Sequence, residues 1–135
     1  MRNVVMALLV GAMLTCSMAF AGVRNPSHPM VTPDGAVAVV VNSVLVLRVR
    51  CDSNGFSRQE RFGIIENRII HATRVDGSVH RARVAMFNGV ESVFVGDNLI
   101  VSVSQGDADA NGCTREVLAD VWAANLDRAV RTDSR

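Results

Sequence analysis

The sequence predicts an α+β domain, an antiparallel sheet of about five strands with two helices on one face, in the order ββαβββα. Three observations carry this expectation. Short β-branched runs are separated by two-residue turn signals at Asn42-Ser43, Asn88-Gly89 and Gly96-Asp97. Two longer segments, opening at Ser57 and Thr114, repeat apolar residues at helical spacing. A hydrophobic content of 49% with 20% charged residues describes a chain that folds and buries a core.

Two segments precede the domain. Residues 1–21 read as an export signal: Arg2 gives a positive start, residues 4–14 are almost uninterruptedly apolar, and Ala19-Phe20-Ala21 forms an A-x-A cleavage site before Gly22. An uncleaved membrane anchor competes with this reading, since about 20 apolar residues span a bilayer. Thr15, Cys16 and Ser17 interrupt the run and favour cleavage. Lipid attachment at Cys16 is disfavoured by Thr15, where that processing prefers a smaller residue. The mature chain is therefore expected in the periplasm or outside the cell, with no membrane-spanning segment left. Residues 22–35 hold Pro26, Pro29 and Pro33, and read as an extended leader because proline removes backbone donors and restrains its predecessor.

The single domain is expected over residues 36–131, with a tail at 132–135. Strands at 36–41 and 44–51 flank the Asn42-Ser43 turn, and Asp52-Ser53-Asn54-Gly55 is a loop by composition. Ser57 and Glu60 have the spacing of a capping box, in which each side chain satisfies a backbone N–H left open by the first turn. Phe62, Ile65 and Ile69 continue as a helical stripe, widened by Ile64 and Ile70, with Arg58, Arg61, Glu66 and Arg68 on the wet side. The helix fades over residues 71–74, before Asp76-Gly77. A meander follows at 81–87, 90–95 and 99–104, its last strand alternating Leu99, Val101 and Val103 onto one face. After a polar loop, Thr114 caps a final helix reaching about residue 130. Leu118, Val121, Trp122 and Leu126 form its buried stripe, and Arg115, Glu116, Asp120 and Asp127 face water.

Charge narrows the function. All 14 basic residues are Arg; loss of Arg2 with the signal leaves 13 against 13 acidic residues. A neutral mature chain has no long-range pull toward nucleic acid or anionic membrane. With no Tyr and one Trp, it also offers little for base stacking. Cys51 and Cys113 remain after cleavage, and an even pair in an oxidising compartment reads as a disulfide. Closing a loop of about 60 residues contributes roughly 4 kcal/mol in the chain-entropy model. No CxxC is present and no His neighbours either Cys, so a redox or nucleophilic thiol is the weaker reading.

Asp107, Asp109 and Asn111, followed by Gly112, match the start of a calcium loop. The twelfth position, where a bidentate Glu belongs, is Leu118, so a solvated loop leading into a helix is expected and no metal. Arg48 and Arg50 oppose Leu45, Leu47 and Val49 by alternation, as Arg81 and Arg83 oppose Ala82 and Val84. If the two strands are neighbours, four guanidinium groups share the helix-free face and can hold phosphate or carboxylate groups. Val44, Val46, Phe94 and Ile100 are placed on that face too, as a protein-contact surface. His28, His71 and His80 lack metal-ligand spacing, and Ser43, Ser57 and Ser92 lack a nucleophile-elbow context. No cofactor and no catalytic constellation is implied.

The span 39–130 resembles an exported N-terminal domain of certain bacterial mechanosensitive-channel-like proteins. The matching pieces are Val39-Val40-Val41-Asn42-Ser43-Val44-Leu45, Ser57-Arg58-Gln59-Glu60-Arg61, and Ile65 with Arg68 and Ile69. Later come Ile100, Val101 and Val103, Asp107-Ala108 with Gly112, and Leu118-Ala119 leading to Trp122. In that family transmembrane helices follow; the sequence here stops at Arg135 after one amphipathic helix, so no channel activity is expected to carry over. The resemblance implies association with a membrane protein and treats Asp107, Ala108 and Gly112 as a loop-to-helix junction. The expected function is a non-enzymatic binding module of the bacterial envelope; the alternative is a small-anion or lipid-headgroup binder using Arg48, Arg50, Arg81 and Arg83.

Overall fold

A computed structural model of the chain describes residues 29–74 and 81–132. The expected signal at 1–21, most of the leader, Asp76-Gly77, His28 and His80 lie outside these residues. The described chain is α+β and its strands pair antiparallel, but they form two three-stranded sheets, joined to three helices.

The first sheet is ordered β1-β2-β3, from β1 (Met30–Val31), β2 (Val37–Val41) and β3 (Val44–Val49). β1 falls inside the segment expected to be an unpaired leader. A turn over Thr32 to Gly35, closed by Thr32 N–H to Ala36 O at 2.8 Å, folds it back onto β2. Asn42 and Ser43 take positive φ values of 48° and 65°, as the tight β2–β3 hairpin requires. Helix α1 (Arg58–Arg74) follows, opened by the predicted capping box: Glu60 N–H donates to Ser57 Oγ at 3.2 Å and Ser57 N–H to Glu60 at 2.8 Å.

The second sheet is β4 (Ala82–Phe87), β5 (Val90–Val95) and β6 (Asn98–Ser102), joined through Asn88-Gly89 and Gly96-Asp97. Next come α2 (Gln105–Asn111), where the sequence suggested a loop, and α3 (Arg115–Thr132). α1 packs on β2, β3 and β6, while α3 packs on β2 and β3 of one sheet and β4 and β5 of the other. The expected single five-strand sheet is corrected accordingly: β3 and β4 do not pair. Instead α3 supplies partners to both strands. Asn125 donates to Val46 O at 3.1 Å, and Asp127 accepts from Ala82 N–H at 3.2 Å. An unpaired backbone group buried beside a helix costs a hydrogen bond, and these side chains supply it.

One apolar core joins both sheets and the two long helices. Two bulges decide which strand residues reach it. In the first sheet Val39 faces Leu47 and Val40 faces Leu45, so Val46 is the extra residue. In the second, Val93 faces Val101 and Phe94 faces Leu99, so Ile100 is extra. A bulge resets the two-residue alternation. Val46 and Ile100 are therefore fully buried, not on the open face where alternation placed them. Leu45 becomes exposed, and Leu99 separates from Val101 and Val103. On α3 the stripe runs through Leu118, Ala119, Trp122, Ala123, Leu126 and Ala129; Val121 lies on its flank and is exposed. Ile70 likewise falls outside the buried stripe of α1.

The bulges make a direct test. Ile100→Ala should cost about 2–5 kcal/mol by urea unfolding, as cavity-forming core truncations do. Leu45→Ala should stay within about 1 kcal/mol. Uninterrupted alternation predicts the reverse ranking.

Candidate functional site

Two polar assemblies stand out, one internal and one on the surface. The internal one gathers the end of β3, the first turn of α1 and the first turn of α2. Asp107 is completely buried and Arg61 nearly so. Their contact is bidentate, Arg61 Nη1 to Asp107 Oδ1 at 3.0 Å and Nη2 to Oδ2 at 2.6 Å. Arg61 Nη1 also donates to Cys51 O at 2.6 Å. Asp107 Oδ2 accepts from Ser104 N–H at 3.1 Å and from Ser104 Oγ at 2.8 Å, while Asp107 N–H donates to Ser104 Oγ at 3.0 Å. Ser104 and Asp107 thus form the capping box of α2, and the capping carboxylate is also the counter-ion of Arg61. Cys51 Sγ completes the group, donating to Asp107 Oδ1 at 3.3 Å. Gly106 leaves room for it: a Cβ there would stand 3.0 Å from that sulfur.

Burial alone would raise the Asp107 carboxyl, but the hydrogen bonds and charge of Arg61, with those of Ser104, outweigh it and hold the group below the ordinary carboxylate range. Burial pushes the Cys51 thiol up, which opposes thiolate formation. Every member is spent on a neighbour, no His joins them, and neither surface cleft described below includes any of them. The assembly is chemically quiet and mechanically connective.

It also revises two expectations. Arg61 is not on the wet side of α1; it sits four residues before Ile65 and eight before Ile69, on the buried stripe itself. The calcium-like run is helical from Asp107 to Asn111, so its oxygens spiral apart and do not converge. Asp107 is taken by Arg61, Asp109 accepts from Gln105, Asn111 donates to Asp107 O, and Leu118 is core. Among the described residues no cluster of His, Cys, Asp and Glu can hold a metal ion. The disulfide expected between Cys51 and Cys113 is absent: both are free thiols, Cys51 in this assembly and Cys113 against the core after the left-handed Gly112.

The surface assembly is the side of the second sheet turned away from α3. Ala82, Val84, Val93 and Val95 belong to the core, so the alternate positions Arg83, Ala85, Phe87, Val90, Ser92 and Phe94 look outward. The Phe87 and Phe94 rings meet edge to face at 6.3 Å between centroids. In register they span the small Ala85–Ser92 pair, consistent with the complete burial of Ser92, whose hydroxyl pairs with Ser102 at 2.9 Å. Arg83 lies over the Phe94 ring at 5.0 Å, donates to Gly96 O at 3.2 Å, and approaches Asp97 at 3.7 Å. Met86 and Phe87, 61% and 42% exposed, crown the hairpin tip.

The four arginines expected to converge are divided between the sheets. Arg48 is exposed on β3 and Arg50 follows that strand, ion-paired with Asp34 of the β1–β2 turn. Arg81 and Arg83 belong to the second sheet, and no strand pairing joins the two sets. Phe94 is on the open face as expected.

Among the described residues two clefts bear on this surface chemistry. One, of about 570 Å³, creases the loop from Asp52 to Ser57 and Glu60. The other, of about 250 Å³, lies where α1 passes β6 and is lined by Asn67, Arg68, His71, Asn98 and Leu99. Among the described residues no helix is long and apolar enough to cross a membrane.

The buried pair sets the response to substitution and acid. Asp107→Asn strands the Arg61 charge and should cost about 3–5 kcal/mol, whereas the paired apolar replacement Arg61→Met with Asp107→Leu should cost less than that single change. Because the folded Asp107 pKa is depressed, its contribution is complete above the unfolded value of about 3.9 and disappears as pH falls through the folded one. Urea midpoints should fall more steeply with acid below about pH 4 in the parent than in the double variant.

No curated protein and no solved structure matches the chain. A family described as a domain of unknown function, DUF8459, matches residues 38–133. That span contains the whole Arg61–Asp107 assembly and the whole aromatic face, and by its extent the chain belongs to the DUF8459 family.

Proposed function

We propose that this chain is an exported, non-enzymatic binding module of the bacterial envelope, which engages a protein partner through the outward side of β4, β5 and β6. The observation that carries the reading is the Arg83–Phe94–Phe87 surface, an aromatic ridge flanked by a guanidinium group. Protein interfaces are enriched in Phe, Met and Arg, and their binding energy concentrates in such anchors. Two of the five Phe residues stand here, where burial in the core would otherwise be favoured. Export follows from the signal-like first 21 residues, and association with a membrane protein from the family resemblance of residues 39–130.

A rigid platform suits this role. β4 and β5 are held from behind by α3, so little ordering cost is met on binding. The absence of enzymatic activity is part of the proposal; it rests on the saturation of Asp107, the raised Cys51 thiol and the use of Asp52 and Glu60, the carboxylates of the larger cleft, as acceptors for backbone N–H groups at the start of α1.

A photo-crosslinking residue in place of Phe87, expressed in cells that naturally carry the protein, should give one dominant adduct that Phe94→Ser removes. The same probe in place of Val117, exposed on α3, should give none. Equal labelling from both positions, or an adduct indifferent to Phe94, contradicts the proposal.

A further inference from the structure

The ridge continues across the sheet. Phe94 faces Arg83 on one neighbouring strand and Leu99 on the other, and Leu99 lines the groove beside α1. A single transverse row therefore runs Arg83, Phe94, Leu99, then Arg68 and His71. Arg68 is held in place there, its Nη1 donating to Ile100 O at 3.3 Å. The amide groups of Asn67 and Asn98 complete the rim, and among the described residues no carboxylate lines the groove. Arg81, opposite Gly96 and outward by alternation, adds a further cation at the same end of the sheet.

The charges along this row do not balance. Among the described residues Arg68 and Arg81 enter no ion pair, and Arg83 has only Asp97, itself fully exposed and 3.7 Å away. That local excess sits on a chain whose overall charge is close to zero. A second copy would bring the same cations against these, a like-charge juxtaposition that costs binding. An acidic segment would meet them with opposite charge, and the groove of about 250 Å³ has room for one apolar side chain between the carboxylates.

We propose that this row binds an acidic peptide segment with a central apolar anchor: the anchor enters the groove against Leu99 and Phe94, and carboxylates pair with Arg68, Arg81 and Arg83. The inference rests on the reading of the β4–β6 face as a binding surface and names the chemistry of what it binds. Arg68, on a helix outside the expected arginine set, is the group that turns an aromatic face into a charged, directional one.

Two synthetic peptides test it against the full mature chain, one with a Phe-Leu centre flanked by Asp and Glu, the other with every acid replaced by Lys. Backbone amide shifts of Arg68, His71, Phe94 and Leu99 should move with the acidic peptide alone, and Arg68→Gln with Arg83→Gln should weaken binding about tenfold or more. Equal shifts with the basic peptide would overturn the charge assignment while leaving the face a binding surface; no shifts with either would overturn the acidic-segment site itself. Shifts at these residues from phosphatidylglycerol vesicles but not from the peptide would assign the cations to a lipid surface and also overturn it. A concentration-dependent dimer of the parent that Arg83→Gln dissolves would assign the face to a second copy, with the same consequence. The double variant retains the buried assembly, and an unchanged urea midpoint separates lost binding from lost folding.

Discussion

One carboxylate, Asp107, holds together parts of the chain that are far apart in sequence. It lies without solvent contact between the guanidinium of Arg61, 46 residues away, and the hydroxyl and amide of Ser104. A buried charge is tolerable only when paired and hydrogen-bonded, because desolvation costs several kcal/mol per ion. Each partner is therefore committed to a position. α1 must present Arg61 toward α2, α2 must begin at Ser104, and the end of β3 must leave the Cys51 carbonyl within reach. The apolar core around this assembly supplies the larger share of stability. The ion pair supplies register among three elements that apolar contact alone would let slide.

Much of the surface follows from that internal constraint and from α3. Once α1 is fixed at one end, its later turns pass β6 at a set height, which brings Arg68 to Ile100 and opens the groove beside Leu99. α3 satisfies backbone groups of β3 and β4 through Asn125 and Asp127, so the two sheets meet across a helix. With its inner side held in this way, the second sheet can turn Phe87 and Phe94 outward without losing its shape. The aromatic face is affordable because the core does not need it.

Local chemistry was the most legible part of the sequence. The turns at Asn42-Ser43 and Asn88-Gly89, the Ser57–Glu60 box and the cap at Thr114 all follow from groups within four residues, and the structure holds each of them. Alternation failed at Val46 and Ile100, since a bulge depends on pairing with a strand whose register no single strand records. Arg61 was readable in principle: its spacing from Ile65 and Ile69 puts it on the apolar stripe, but a guanidinium was assigned to water by type. Asp107 likewise bore two patterns at once, a metal-like run and the Ser104-x-x-Asp107 box, and only the second survives in a helix. The division of the strands into two sheets had no local signature. It depends on Asn125 and Asp127 replacing a strand as hydrogen-bond partner.

The claim that the Arg61–Asp107 pair couples β3, α1 and α2 into one cooperative unit is tested most directly by native-state hydrogen exchange in rising, sub-denaturing urea. The amides of Arg61, Asp107 and Ala108 should converge on the same opening free energy as those of β2 and β3. Early, independent exchange of the α2 amides, with β3 and α1 still protected, would contradict it.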